Sequence, residues 1–550
     1  MKYLKKMGEN RYLLIILAIS IVFLGFFLYK IGSIPGLFID ETNYMNEVIS
    51  ETKFSTDING LHDPVYFGSV WGQGQSVLYS WIVLPVVKLF GFTTTIFRLP
   101  MAILTFVTIL SFSIVLYTSQ KDKLLAVCVL ITMLTSPWIF ISGRWVLDAN
   151  IAPVFVALSL ITLFLAINDN QKNISRLVWI VVSGILLGLS AYGYIAAWIY
   201  LPILVMLLTG MILIKRWLPI KLLVTWLIII LIMAIPLIVF AYRVNVQHIN
   251  HISKFLFFEY PYLRANRTSS LVDMSNGVIT GIKQNMLIGA QQFFLGTDNL
   301  TQNSVAPFGV ISIPTLLLGF FGFFIRTPNL SKKAKIMRTI SLIGLVSFIP
   351  CMMVIKANYN HWNLLWMPML ALVGFGLFSV ISALKVRLRN PMLSYVILFL
   401  PIAFLTVFVG KAYFGFDGSK NFFNNFNGSY EETREIDSMM SKKYPKSRLY
   451  MTDMSSNFAV FRLVRNPISS TEYVVEKGPE LESKRNEVGI GPETQYDYLR
   501  DYSRIAEAKS GDIAMVFVGD ENYNLTKDKH WHVLKKDKFN HHDVCLVQKV

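Results

Sequence analysis

Charge is what this sequence has least of. Asp, Glu, Lys and Arg together make up 15% of the 550 residues, against 54% hydrophobic residues, where a soluble domain carries roughly 25% charged residues. Mean hydropathy is +0.50. So few charges cannot cover a chain of this size in water, so lipid must cover the rest. That excludes a cytosolic enzyme, a disordered regulator and a fibrous protein. Acid is the scarcer sign, with 34 Asp and Glu against 51 Lys and Arg, a formal charge of +17. Cysteine is nearly missing. Cys128, Cys351 and Cys545 show neither zinc-site nor redox-pair spacing, which excludes a disulfide scaffold. The first apolar run, Tyr12–Tyr29, lacks a small-x-small cleavage site and is followed by Ile34-Pro35-Gly36. It reads as a retained span rather than a signal peptide. Internal repeats and low-complexity tracts are also lacking.

Long apolar runs are plentiful. Stretches near 20 residues, the length that crosses the hydrocarbon layer, occur at about 12–30, 98–118, 123–141, 150–167, 177–192, 194–212, 218–241, 306–325, 339–356, 361–382 and 391–410. Ser190-Ala191-Tyr192-Gly193 is a tight turn or a kink. A twelfth run, Val77–Phe90, is short and holds Pro85 and Lys88. It is a re-entrant or interfacial helix, or a true span. With eleven spans and a cytoplasmic N-terminus, the inner segments (1–11, 119–123, 168–176, 213–221, 326–338 and 383–390) hold 19 Lys or Arg and 3 Asp or Glu. That is a strong positive-inside bias. Counting Val77–Phe90 as a span would invert it, which favours re-entry. The basic charge therefore faces anionic lipid, and no nucleic-acid partner is implied.

The expected architecture is a polytopic all-α membrane protein with about 11 transmembrane helices. Residues 1–414 form the membrane part, with outer loops 32–97 and 242–305, and 415–550 form a soluble extracytoplasmic α/β domain. Residues 411–550 carry 21 basic and 21 acidic side chains. There, Ser447–Thr452, Glu472–Val475 and Asp512–Val518 read as strands, and Glu431–Lys443 and Tyr496–Lys509 as helices. Trp531–Leu534 and Val544–Val550 are candidates to close the sheet. His530, His532, His541 and His542 have no metal-site spacing.

Polar residues stand out where the chain is otherwise greasy. Asp40 and Glu41 follow an apolar run directly after a span, where charge is costly unless used or paired. Asp40 is either the N-cap of a helix starting at Glu41 or a chemical group, and the two are compatible. Tyr44 follows in the same motif. Arg144 and Asp148 are four apart and suit one helix face, as a helix-stitching pair or as groups lining the same outer cavity as Asp40. Lys356 to Asn363 mixes hydrogen-bonding Asn358, Asn360 and His361 with Tyr359 and Trp362, and Trp366 lies a turn further on. That mixture suits either sugar binding or an interfacial aromatic belt. Gln73 and Gln75 sit in a glycine-rich outer segment, as donors to phosphate or sugar oxygens or as parts of a plain turn. Arg264 and Arg267 are candidates to hold a phosphate or to touch lipid headgroups.

These groups collect on one membrane face rather than along a midplane path, as a transporter would need. A surface site suits a substrate with a greasy tail and a polar head. A polyprenyl-phosphate sugar fits. Transfer from it needs a carboxylate to take the acceptor proton, here Asp40, and cations or a metal for the departing phosphate. Single displacement inverts the anomeric centre. The rival classes are a lipid-linked sugar transporter or flippase, and a structural membrane protein with an external binding domain.

The pattern Pro35-x-x-x-x-Asp40-Glu41-x-x-Tyr44 after a first span resembles membrane glycosyltransferases of the GT-C fold. So do Lys88-Leu89-Phe90-Gly91 with Arg98-Leu99-Pro100, Arg144 to Asp148, Gly188 to Tyr192, and His361 to Pro368. The resemblance covers roughly residues 10–410. Its branches are the protein O-mannosyltransferases, the aminoarabinose transferases acting on lipid A and bacterial cell-envelope relatives. It implies Asp40 as catalytic base with Glu41 as partner, Asp148 in the site or at a metal, and a polyprenyl-phosphate sugar donor used on the outer face of the plasma membrane. Tyr44, Gln73, Gln75, Arg144, Arg264, Arg267, Asn360 and His361 are the expected substrate contacts. A divalent cation, Mg or Mn, is a candidate cofactor at Asp40 and Asp148. Aminoarabinose transferases have an arginine where Asn43 stands and a Glu-Lys-Pro-Pro-like segment at Trp71–Ser76. This chain departs at both, and its Gly143-Arg144-Trp145 and Trp71–Gln75 segments look more like relatives from Gram-positive bacteria, whose acceptor would be a teichoic acid or wall polysaccharide.

Overall fold

The computed structural model describes residues 2–68, 72–168, 173–261, 263, 270–300, 302–325, 330–418, 430–451, 460, 463–464, 499–539 and 542–550. The chain runs through α1 (Lys2–Leu28), α2 (Ile39–Phe54), α3 (Leu78–Phe90), α4 (Thr94–Ser119), α5 (Leu124–Leu134), α6 (Pro137–Ser142), α7 (Asp148–Asn168), α8 (Asn173–Ser190), α9 (Ala197–Lys215) and α10 (Ile220–Asn245). A hairpin of β1 (Ser253–Phe255) and β2 (Phe258–Tyr260) follows. Then come α11 (Val278–Leu295), α12 (Ile313–Phe324), α13 (Lys332–Val346), α14 (Ile349–Val354), α15 (Asn363–Arg387), α16 (Phe399–Val407) and α17 (Tyr430–Lys443).

Among the described residues, eight helical stretches are long and apolar enough to cross a membrane: Arg11–Leu28, Thr94–Ser119, Asp148–Asn168, Ala197–Lys215, Ile220–Asn245, Lys332–Val354, Asn363–Arg387 and Pro391–Tyr413. Four shorter apolar helices, Leu78–Phe90, Leu124–Leu134, Ile174–Ser190 and Ile313–Phe324, complete the set. α3 has 13 residues, so it is roughly 20 Å long, well short of a hydrocarbon layer of about 30 Å. α7 and α15 are the most buried of the long helices, and α1 and α10 present most of their length outward. Leu14, Ile21, Ile232 and Ile238 are among the large apolar side chains left uncovered there, as a lipid-facing surface requires.

Central helix contacts depend on small residues. A Cβ on Gly376 of α15 would lie 1.8 Å from the Gly319 carbonyl of α12, and one on Gly322 would lie 2.1 Å from the Gly376 carbonyl. Glycine lets these two backbones touch, the usual means of tight association where water supplies no hydrophobic drive.

The C-terminal strands β3 (Leu449–Met451), β4 (Leu499–Asp501), β5 (Ile513–Phe517), β6 (Trp531–Phe539) and β7 (His542–Lys549) form one mixed sheet in the order β4-β3-β5-β7-β6. β3 is parallel to β4 and β5; β7 is antiparallel to β5 and β6. Period-two alternation gives the sheet two cores. Ile513 and Met515 pack with Met440 of α17 on one face, and Ala514 and Val516 pack with Tyr502 and Trp531 on the other. The helix expected over 496–509 is corrected: Leu499–Asp501 is a strand beside β3 and Tyr502–Glu507 a short 3-10 turn. Pairing with Leu449–Met451 outweighs local helical preference. The expected strand at 472–475 lies outside the described residues.

Candidate active site

Two buried arginines organise the approach to the site. Arg144 donates from Nε to the Tyr413 hydroxyl at 3.0 Å, and from its terminal nitrogens to the carbonyls of Phe26, Phe27, Tyr29 and Ile34. Arg98 donates to the carbonyls of Ile31, Pro35 and Gly36 and to both Glu41 oxygens, with Nε···Oε1 at 2.8 Å. A guanidinium has five N–H donors, and each arginine here uses all five. Seven backbone carbonyls between Phe26 and Gly36 are thereby held. They include carbonyls of the last α1 turn that the helix itself leaves unpaired. The rings of Phe140, Tyr413 and Phe414 face the Arg144 guanidinium within 5.3 Å, which favours a cation.

This places three expected site residues elsewhere. Arg144 and Asp148 do not share a helix, because α7 begins at Asp148. Arg144 has no N–H left for Asp148 or for a phosphate. Glu41 is fully buried against Arg98, and its Oε1 also accepts from the Val146 amide at 2.9 Å. It ties α2 to α4 and to the segment before α7. Tyr44 is likewise interior: its hydroxyl accepts from the Tyr79 and Ser80 amides at 3.1 and 3.2 Å, satisfying donors at the start of α3.

Asp40 sits in the first turn of α2, which starts at Ile39 after the N-cap residue Phe38. The side chain is therefore not the cap that the sequence suggested. It is half-buried and faces a cavity of about 230 Å³. Asp148, Gln73, Gln75, Asn360 and His361 line the same cavity, with Asn43, Tyr194, Ser270, Gln302 and Asn358. Asp148 is buried, with Oδ1 accepting from the Ala149 amide at 2.9 Å and Oδ2 from the Ser76 amide at 3.3 Å. Gln73 and Gln75 lie on a segment held by an isolated bridge, in which Phe67 and Gln75 exchange backbone bonds at 2.9 and 3.0 Å. Gly74 lies there at φ +83°, and a Cβ would meet the Tyr66 ring at 2.2 Å, so only glycine fits. His361 Nδ1 lies 3.1 Å from the Lys356 carbonyl, which makes Nδ1 the protonated nitrogen.

Neither use offered for the aromatic residues of the 356–366 segment is seen there. Tyr359, Trp362 and Trp366 are interior, each giving its polar hydrogen to a backbone carbonyl: Gln292, Ile355 and Tyr359 respectively. They are packing residues rather than an exposed belt or a sugar-stacking surface. Arg264 and Arg267 lie outside the described residues. Sequence reasoning missed Tyr194, Ser270 and Gln302, as well as the supporting Asp298 and Asn303. The polar run Thr297–Ser304 was the available signal for the last two.

Among the described residues no group of three or more His, Cys, Asp and Glu side chains could hold an ion. Asp40 and Asp148 line one cavity, and one or two carboxylates are what the protein commonly supplies to a Mg or Mn ion that keeps waters and takes phosphate oxygens as its other ligands.

No protein-family model matches the chain, and no curated protein is significantly similar to it. Solved structures do resemble it. ArnT from Cupriavidus metallidurans bound to undecaprenyl phosphate superposes with a TM-score of 0.55 at 12% identity, covering 98% of each chain. Its apo state gives 0.52 at 13% identity over the same coverage. The oligosaccharyltransferase of Archaeoglobus fulgidus in complex with Zn and sulfate gives 0.50 at 12% identity, covering 91% of this chain and 68% of that one. At such identities the likeness is one of fold. The chain shares its fold with these structures, in line with the membrane architecture that the motifs implied.

Proposed function

We propose that this protein is an inverting glycosyltransferase that moves a sugar from a polyprenyl-phosphate carrier to a cell-envelope acceptor. The acceptor is a teichoic acid, a wall polysaccharide or a glycolipid at the outer face of the plasma membrane. In the step, an acceptor hydroxyl attacks the anomeric carbon. The bond from that carbon to the phosphate oxygen breaks, its electron pair leaves with the lipid phosphate, and the hydroxyl proton passes to the Asp40 carboxylate. Asp148, fixed by two backbone amides, orients the acceptor or the sugar. Gln73, Gln75, Asn360 and His361 bind hydroxyls. Arg264 and Arg267 meet the phosphate. Glu41 and Arg144 act by holding the frame, and no step is routed through a metal.

One observation carries the reading: Asp40 and Asp148, more than a hundred residues apart, open onto one amide-lined cavity. The fold is shared with a protein crystallised with undecaprenyl phosphate. We read the chain as crossing eleven times, with residues 415–550 outside and α3 re-entrant.

The test is transfer from a panel of radiolabelled polyprenyl-phosphate hexoses to crude cell-envelope acceptor, by purified protein in liposomes. Wild type and Asp40→Asn run side by side, with and without chelator. Label should move with wild type and fall by about 10²-fold or more with Asp40→Asn at unchanged abundance, and the chelator arm decides whether transfer needs a divalent cation. Absence of transfer and of binding by a folded protein would instead favour the transporter class.

A further inference from the structure

Helix α11 belongs to the 242–305 stretch that the sequence suggests is an outer loop, but its faces are inverted for a helix in water. The inward stripe is small or polar: Gly281, Asn285, Gly289 and Gln292 recur every three or four residues and turn toward the protein. A Cβ on Gly281 would lie 2.4 Å from the Asp273 carbonyl, and one on Gly289 would lie 2.3 Å from the Trp362 ring. The outward residues are large and apolar. Ile279 is 83% exposed, Leu287 57% and Phe294 62%, and Met286 is exposed with them. At about 100° per residue, Thr280, Gln284 and Gln291 share one outward strip, and Ile279 and Met286 lie on the opposite side of Lys283 from it. Lys283 is the one charged residue of the helix, far too little for a helix standing in water.

The height of α11 follows from what it touches. Asn285 donates to the carbonyls of Met352 and Ile355, both at 2.8 Å, and accepts from the Ala357 amide at 2.9 Å. Met352 lies in the last turn of the membrane-crossing stretch Lys332–Val354, and Ile355 and Ala357 follow it. Further along, Phe293 stacks on Trp366 with ring centroids 6.2 Å apart. Trp366 is in the first turn of α15, where the next crossing stretch, Asn363–Arg387, begins. One helix thus rests against the ends of two successive spans, on the side where the chain turns between them. α14 packs on α11 and itself leaves Ile349 and Met353 uncovered, so the lipid-facing surface of the span adjoins the uncovered face of α11. Helices that pair within a membrane bring small residues to the contact. Here the small residues point inward and the bulky ones outward.

We propose that α11 is an interfacial helix whose outward face is seated in the acyl chains of the bilayer, with Thr280, Gln284 and Gln291 at the headgroups. Lys283 reaches the same level along its own apolar stem. The seat bears on the cavity. Gln292 Nε2 donates to the Ala357 carbonyl at 3.0 Å, and the Gln292 carbonyl accepts from the Tyr359 hydroxyl at 3.0 Å. α11 therefore holds the backbone that carries Asn358, Asn360 and His361 to the cavity they line, and sets that wall at headgroup height. The membrane seat holds whether or not the cavity transfers a sugar.

The experiment labels Ile279→Cys, Met286→Cys, Gln284→Cys and Gln291→Cys singly in the full-length protein with an environment-sensitive fluorophore, in phosphatidylcholine liposomes. Cys128, Cys351 and Cys545 are buried, and the unsubstituted protein gives the labelling background. Quenching is read with lipids spin-labelled high or low on the acyl chain, and with aqueous iodide. Labels at Ile279 and Met286 should be quenched by the lipid spin labels at least about twofold more than labels at Gln284 and Gln291, at a depth of about 5–10 Å below the headgroup boundary. Iodide should show the opposite order. Should one variant fail to fold, the other position on its side of the helix decides. Equal iodide quenching at all four positions would put α11 in water. Protection of all four from both quenchers would put a protein surface over it, and equal lipid quenching at all four would bury it in the chains without a headgroup side. Each of these overturns the proposal.

Discussion

Asp40 and Asp148 were legible at the residue scale because an acid in a nearly charge-free stretch is conspicuous, and burying it is expensive. The role of Arg144 was not legible, because its acceptors are carbonyls at Phe26 to Ile34 and a hydroxyl at Tyr413, far off in sequence. Carbonyl acceptors leave no trace in residue identity. Glu41 gave the right signal with the wrong use: it is costly acid, but it is spent on Arg98. Removing one partner of a buried ion pair leaves the other charge uncompensated. Glu41→Gln should therefore lower stability by about 3–5 kcal/mol, measured as the denaturant or thermal midpoint, whereas Asp40→Asn should leave that midpoint near wild type. A Glu41→Gln protein as stable as wild type would show that the pair does not hold the frame.

The glycine contact between α12 and α15 can be tested at the scale of elements. Gly376→Val adds atoms where a Cβ already falls 1.8 Å from a carbonyl. It should cost about 1–3 kcal/mol, the range for overpacking, visible as a lower melting temperature in detergent. A second element carries a pH dependence. Glu51 on α2 is pushed up to about 8, first by burial and then by the neighbouring Asp57. Asp57 is raised to about 6 by burial. Both groups bind protons more tightly folded than unfolded, so their stabilising contribution is complete below about pH 4, the unfolded carboxylate range. It is lost as pH rises through about 6 and then about 8. Hydrogen exchange of residues 39–61 should accelerate across that window, and Glu51→Gln should remove the part of the change nearest pH 8. An unchanged profile in the variant would assign it to other groups. The same helix shows how local rules mislead. An acid near a helix start suggested capping, yet α2 begins two residues earlier than that reading required, with Phe38 at its N-cap. Likewise, long-range pairing with β3 made a strand of Leu499–Asp501.

At the scale of the whole molecule, hydropathy located the eight long apolar helices among the described residues, because lipid imposes one simple demand on composition. It did not give the cavity, which joins residues from α2, the 73–75 segment, α7 and the two polar segments near 300 and 360. Their meeting is a tertiary fact, and periodicity does not encode it. Sidedness follows from the basic loops and is open to test. A cysteine placed at Lys333 should react with an impermeant maleimide only after the cells are permeabilised, whereas one at His530 should react in intact cells. The reverse pattern would overturn the orientation and, with it, an outward-facing site.

The two clamping arginines have an electrostatic consequence beyond the hydrogen bonds they make. Arg98 is matched by the Glu41 carboxylate, whereas Arg144 has only carbonyl and hydroxyl acceptors, so these three side chains together carry one net positive charge. Field lines from this buried charge are weakly screened in a dry interior. If the proposed lipid-phosphate donor is the substrate, its negative charge is favoured at this end of the protein without either arginine leaving its place.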